Sequence, residues 1–140
     1  MPFDVRWYVE GRIVAVHQWG ELTLDDMRET TVTVLERIQD ATPPTHLLID
    51  MRDVTKMPSS LVQMLKEIEV LRQEPTIGWS LLITNSSLMH FFGVLASNLV
   101  KASHRSVHDY EEANEVLKRI DPTLVDLLPE KWEVGAPDSP

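Results

Sequence analysis

Asp50 and Asp53 stand three residues apart at the end of the apolar run Leu47-Leu48-Ile49, and two carboxylates so placed have the types needed for general acid and base work. The same residues at a strand end and in the loop after it serve as turn formers and caps, which is the reading taken here. Ser59 and Ser60 follow Pro58 and precede an amphipathic stretch, so they fall where a helix N-terminus exposes unpaired N–H groups. A serine hydroxyl there caps the helix for about 1 kcal/mol. It is also a phosphoacceptor candidate, because a phosphate at the positive end of a helix dipole is tolerated and changes the surface a partner meets. Five histidines, His17, His46, His90, His104 and His108, raise the question of a metal. His104 and His108 are spaced as on one strand, roughly 13 Å apart along its axis, too far to share an ion. With no His-Glu-x-x-His or comparable spacing, the histidines read as scattered hydrogen-bonded imidazoles, and no metal or other cofactor is expected.

Gly-x-Ser-x-Gly, Gly-x-x-x-x-Gly-Lys and Gly-x-Gly-x-x-Gly are all absent, and five glycines in total do not assemble a local phosphate-cradling loop. The chemistry-bearing residues therefore point to binding rather than catalysis. The chain has 140 residues, the size of one domain, and its 22 acidic and 13 basic side chains give a net charge of -9. Without a block of Lys or Arg, nucleic acid and anionic lipid are disfavoured partners. The lack of cysteine excludes disulfides, thiolate-bound metals and thiol chemistry, and accords with a reducing cytoplasm, the expected location. The N-terminal stretch has no apolar core of a signal peptide. The longest apolar stretch, Leu88 to Val100, is shorter than the roughly 20 residues that span a bilayer, so no membrane insertion is expected.

The elements that position these residues follow from periodicity. Val5 to Val9 and Ile13 to Trp19 flank Glu10-Gly11 and read as an antiparallel hairpin. Val5, Trp7, Val9, Val14 and Val16 share its core face, and Arg6, Tyr8, Ala15 and His17 a mixed opposite face. Thr23 with Asp26 starts a helix from Leu24 to Gln39. His46 to Asp50 is a short buried strand, Pro58-Ser59-Ser60 opens the next helix, Pro75 stops it, and Ile77 to Thr84 is another buried strand. Ser86 or Ser87 caps a third helix to about Val100, Arg105 to His108 is the last strand, and Asp109 with Glu112 caps a helix from Tyr110 to Ile120. The expected class is α/β, order β-β-α-β-α-β-α-β-α, a mostly parallel sheet with an N-terminal antiparallel hairpin over residues 1–120. Residues 121–140 form a tail whose Leu124, Val125, Leu127, Leu128 and Trp132 call for docking on the domain or on a second protomer.

This order, and the segment Leu48-Ile49-Asp50-Met51-Arg52-Asp53-Val54-Thr55-Lys56-Met57-Pro58-Ser59-Ser60-Leu61, resemble the STAS (sulfate-transporter and anti-sigma-factor-antagonist) and SpoIIAA-like domains over roughly residues 4–120. The resemblance implies that Asp50 takes the place of the strand-end aspartate and Ser59 that of the phosphorylated serine. Pro58 stands where the family has aspartate and Leu61 where it has glycine, so the better match is the divergent SpoIIAA-like, or STAS/SEC14-like, branch. Asp50, Met57-Pro58 and Thr84 are also similar to residues of response-regulator receivers. Such a receiver needs an acidic pair and a lysine where this chain has Gly20-Glu21 and His108-Asp109.

By that resemblance the function is a non-catalytic regulatory protein–protein interaction module similar to anti-sigma-factor antagonists, with Asp50, Asp53, Lys56 and Met57 beside Ser59 and Ser60 as the surface a protein partner meets. The third helix carries more apolar surface than one sheet can cover: Leu88, Phe91, Phe92, Leu95 and Leu99 form a full stripe, widened by Met89 and Val100, with Val94 apart on the other side. The surplus is covered by the tail or an adjacent helix, or else Met89, Phe91, Phe92, Leu95 and Val100 form a homodimer or ligand face. The alternative is a small apolar ligand or lipid held between sheet and helix near Phe91, Phe92, Leu95 and Trp79.

Overall fold

A computed structural model describes residues 2–39, 41–69, 71, 74, 76–100 and 103–130, with the backbone alone at 96, 97, 99 and 100. Strands β1 (Phe3–Val9) and β2 (Ile13–Glu21) form the expected hairpin, closed by the Arg12 N–H to Val9 carbonyl bond at 2.9 Å. Gly11 sits at φ 75°, a conformation that costs a side chain energy and a glycine nothing. Helix α1 (Leu24–Ile38) has the full Thr23–Asp26 capping box. Then come β3 (Thr45–Lys56), α2 (Leu61–Ile68), β4 (Ile77–Ile83), α3 (Ser87–Val100), β5 (Ser103–Val107) and α4 (Tyr110–Ile120), followed by a 3-10 turn at Pro122–Leu124.

The sheet runs β1-β2-β3-β4-β5, with the first pair antiparallel and the others parallel. Each crossover from β2 to β5 steps in the same direction, so right-handedness places α1, α2 and α3 on one face. Val14, Val16 and Leu47 meet Val34 and Ile38 of α1 there, and Met27, Met64 and Phe92 join the three helices to one another. Helix α4 follows the edge strand and turns back across the other face, where Tyr110, Ala113, Val116 and Leu117 cover Tyr8, Ala15, Leu48, Leu81 and Ile83. The face expected to be mixed is thus a second core layer. Val9 also belongs to it, because the register shifts between Trp7 and Val9 and turns Val9 away from Trp7.

Strand β3 is the largest departure from the sequence reading: it continues for 12 residues to Lys56 instead of ending at Asp50. Its polar second half pairs with the end of β2, Trp19 opposite Asp53 and Glu21 opposite Lys56, after register shifts on either side of Trp19-Gly20. Gly20 takes φ 68° at the second of these. Beyond α4, Leu124 is fully buried in the α4-side core and Leu128 packs against it. Asp121 accepts from Arg12 at 3.1 Å and from His46 at 3.3 Å. His46 Nδ1 accepts the Trp79 N–H at 3.0 Å, so the ring proton sits on Nε2 and goes to Asp121. Trp132 lies outside the described residues.

Candidate interaction face

Ser60 is the N-cap of α2, its Oγ accepting the Gln63 N–H at 3.2 Å, while Ser59 is exposed one residue earlier. The two serines therefore divide the roles that the sequence left open: one hydroxyl is engaged in the helix start and the other faces solvent. Ser60→Ala is expected to cost about 1 kcal/mol and Ser59→Ala less than about 0.5 kcal/mol, read from urea unfolding midpoints.

Upstream, Asp50 is 1% exposed, and this excludes it from the surface a partner touches. Its Oδ1 accepts from the Arg52 N–H at 3.1 Å and Nε at 3.0 Å, and its Oδ2 from Nη2 at 3.0 Å. The Arg52 guanidinium lies 5.3 Å from the centroid of the Tyr110 ring, which stacks on Tyr8 at 5.9 Å. Tyr8 donates to Asn114 Oδ1 at 2.6 Å, and burial pushes its hydroxyl up to about 12 against the lowering effect of that bond. The Asp50 position is thus a structural brace between β3 and α4. Asp53 is exposed and meets His17 Nε2 at 2.8 Å; Lys56 is exposed beside Glu21 at 3.6 Å. Met57 is half-buried and turns inward onto Met51, Met64 and their neighbours. Thr84 accepts the Ser86 N–H at 3.1 Å and Ser86 accepts the Met89 N–H at 3.3 Å, so these hydroxyls build the start of α3.

On α3 the structure rotates the expected face. Met89 and Phe92 are 7% and 8% exposed and belong to the core, whereas Leu88 is 67% and Phe91 50% exposed. The helix is apolar nearly all round, so its composition does not decide which stripe points inward; the sheet does, through Leu82 and Leu22 against Met89. Phe91 and Leu95 remain of the five residues assigned to a contact face, Leu95 half-buried, and the Val100 side chain lies outside those described. The expected apolar ligand pocket does not form as drawn: Phe92 packs with Met27 and Met64, while Trp79 packs on the α4 side of the sheet.

Leu61 and Val62 at the start of α2 are exposed as well, Val62 at 64%, and α2 and α3 are packed side by side. Leu61 and Val62, which follow Ser59-Ser60, together with Leu88 and Phe91 thereby give two adjacent helices an exposed apolar surface. That surface was missed because neither helix shows it alone.

Two of the histidines, from different elements, share one hydrogen-bond partner. His90 on α3 and His104 on β5 both reach Ser106 Oγ, through Nδ1 at 2.7 Å and Nε2 at 3.3 Å. Burial and the neighbouring His90 hold His104 below the ordinary histidine range, against a hydrogen bond to the Ser80 main chain. A histidine held neutral in the folded state takes up its proton more readily when unfolded. Its contribution to stability is therefore full above the ordinary value of 6.5 and is lost as pH falls through it toward the depressed folded value. Unfolding free energy is expected to drop as pH falls through the ordinary 6.5, and His104→Gln is expected to flatten that drop. Burial raises Asp121, but bonds from Thr123 and His46 and the charge of Arg12 outweigh it and leave the carboxyl below its ordinary 3.8. Its stabilisation acts in a lower window, present above 3.8 and lost as pH falls through the folded value.

Among the described residues no helix is long and apolar enough to cross a membrane, and no group of three His, Cys, Asp or Glu side chains is arranged to hold a metal ion. No family model and no curated protein matches the chain. Among solved structures it is similar to an uncharacterised DUF3478-family protein with a SpoIIAA-like fold from Shewanella loihica PV-4, with a TM-score of 0.60 and 17% identity over 82% of this chain and 91% of that one. At that identity the likeness speaks to the fold, and the fold is SpoIIAA-like.

Proposed function

We propose that this SpoIIAA-like domain is a non-catalytic regulatory protein–protein interaction module, and that the surface it docks with is the apolar face of α2 and α3 beside Ser59. The observation that carries the reading is the exposure of Leu88, Phe91 and Val62 on adjacent helices, since apolar side chains gathered on one face mark contact surfaces while scattered ones do not. The occupant is a second copy of this chain. With a net charge of -9 per chain, two copies repel over most of their surface, but α3, SLMHFFGVLASNLV, contains no Asp, Glu, Lys or Arg. Two copies can therefore meet along it, in the self-complementary arrangement of a two-fold dimer, without opposing like charges. Phosphorylation of the exposed Ser59 hydroxyl would place nearly two negative charges beside Leu61 and Val62 and separate the copies. That is the regulatory half of the proposal.

The cysteine-free background supplies a direct test. Phe91→Cys is expected to form an intermolecular disulfide on mild oxidation, and Glu115→Cys on the outer side of α4 is not. A different protein trapped at position 91 in cells, with no self-crosslink, would replace the second copy with that protein. Crosslinking at both positions alike, or at neither, would remove the face from the account.

A further inference from the structure

We propose that His90, His104 and Ser106 form a binding site for a borderline-soft divalent transition-metal ion of the Zn2+ class, independent of the docking face. Three side chains from a helix and the neighbouring edge strand converge on one point: His90 Nδ1 lies 2.7 Å and His104 Nε2 3.3 Å from the same hydroxyl oxygen. The His104 ring also bonds the Ser80 main chain, which leaves Nε2 as the nitrogen turned toward Ser106. A ligand histidine anchored through its other nitrogen to a backbone carbonyl is the arrangement that fixes tautomer and ring direction at metal sites. Ser106 has a single hydroxyl proton for two imidazole nitrogens, so one bond of the bridge must be donated by His90 or left unmade. An ion between the nitrogens uses both lone pairs instead.

Gly93 lets the His104 ring lie against α3: a Cβ there would stand 2.7 Å from both Cε1 and Nε2, so glycine is needed in the middle of the helix, where it otherwise weakens it. Two imidazoles with a hydroxyl favour Zn2+, Cu2+ or Ni2+ over Mg2+ and Ca2+, which prefer oxygen ligands. His90 is exposed, so water completes the coordination on that side. A bound ion would tie α3 to β5, the edge strand on which it leans.

Zn2+ titrated calorimetrically into the full chain near pH 7.5 is the test. The expected result is one ion per chain, weakened at least about tenfold by His90→Ala and by His104→Ala and unchanged by His108→Ala. Imidazole NMR signals of the wild type guard against a misfolded variant: His90 and His104 should shift together with Zn2+ and not with Mg2+, while His17 and His46 stay in place. Absence of binding at millimolar Zn2+, binding that survives both substitutions, or shifts centred on His17 would each overturn the site and leave a hydrogen-bonded bridge.

Discussion

Met89→Glu is expected to unfold the domain, whereas Phe91→Glu, two residues along the same helix, is expected to leave it folded. The Met89 side chain lies among Leu22, Met51 and Leu82, and a carboxylate there would have no partner. Placing an unpaired charge in such a core costs at least about 4 kcal/mol, a large part of the 5–15 kcal/mol by which domains of this kind are stable. Phe91 is half exposed, so a glutamate in its place reaches water and changes stability by about 0.5 kcal/mol. Circular dichroism and urea titration of the two variants separate these outcomes. A folded Met89→Glu would mean that α3 presents the other stripe to the sheet.

Arg52→Ala should be the most damaging substitution of a polar residue, at about 3 kcal/mol. Among the described residues the side-chain donors shown for the Asp50 carboxylate, 1% exposed, come from Arg52, so the truncation strips a buried charge of its guanidinium and leaves it the main-chain N–H of residue 52. The figure is at the lower end for broken buried pairs because the Arg52 side chain is itself 34% exposed and admits water. Asp50→Asn retains an acceptor and should cost about 1 kcal/mol. If Asp50 were a site residue instead of a brace, both variants would unfold like the wild type, and thermal melts would show it.

Much of the fold was legible because local chemistry agreed with the final topology. Glu10-Gly11 specified a hairpin, Thr23 with Asp26 and Asp109 with Glu112 specified helix starts, and two apolar strands between helices required a parallel sheet. The failures share one physical cause, which is that the deciding contact was far away in sequence. Residues 51–56 look like a polar loop, yet β2 supplies a partner strand for them. Helix α3 is apolar on nearly every side, so periodicity could not fix its rotation, and Met89 was assigned to the surface while Leu88 was assigned to the core. Asp50 reads from the sequence as an accessible strand-end carboxylate, and the arrangement that holds its partner Arg52 over Tyr110 of α4 lies some sixty residues later. His90 and His104 are on different elements, so their shared contact with Ser106 leaves no mark in the spacing, which shows only that His104 and His108 are too far apart along one strand to share an ion.

The site was legible in outline only. The start of α2 and an oversized apolar helix were both visible, but their adjacency is tertiary. Ser60 was identified with the helix cap as an option, and the hydrogen bond to Gln63 now assigns that role to it and leaves Ser59 exposed beside Leu61. These facts give the proposed module its arrangement: a solvent-facing hydroxyl at the rim of an uncharged apolar face on an acidic domain.

Light scattering of the purified wild type and of Phe91→Glu tests that arrangement most directly. The expected wild-type mass is twice 16.0 kDa, about 32 kDa, and the expected Phe91→Glu variant is a folded monomer at 16.0 kDa. A wild type that is monomeric at tens of micromolar, or a dimer that Phe91→Glu leaves intact, would contradict it.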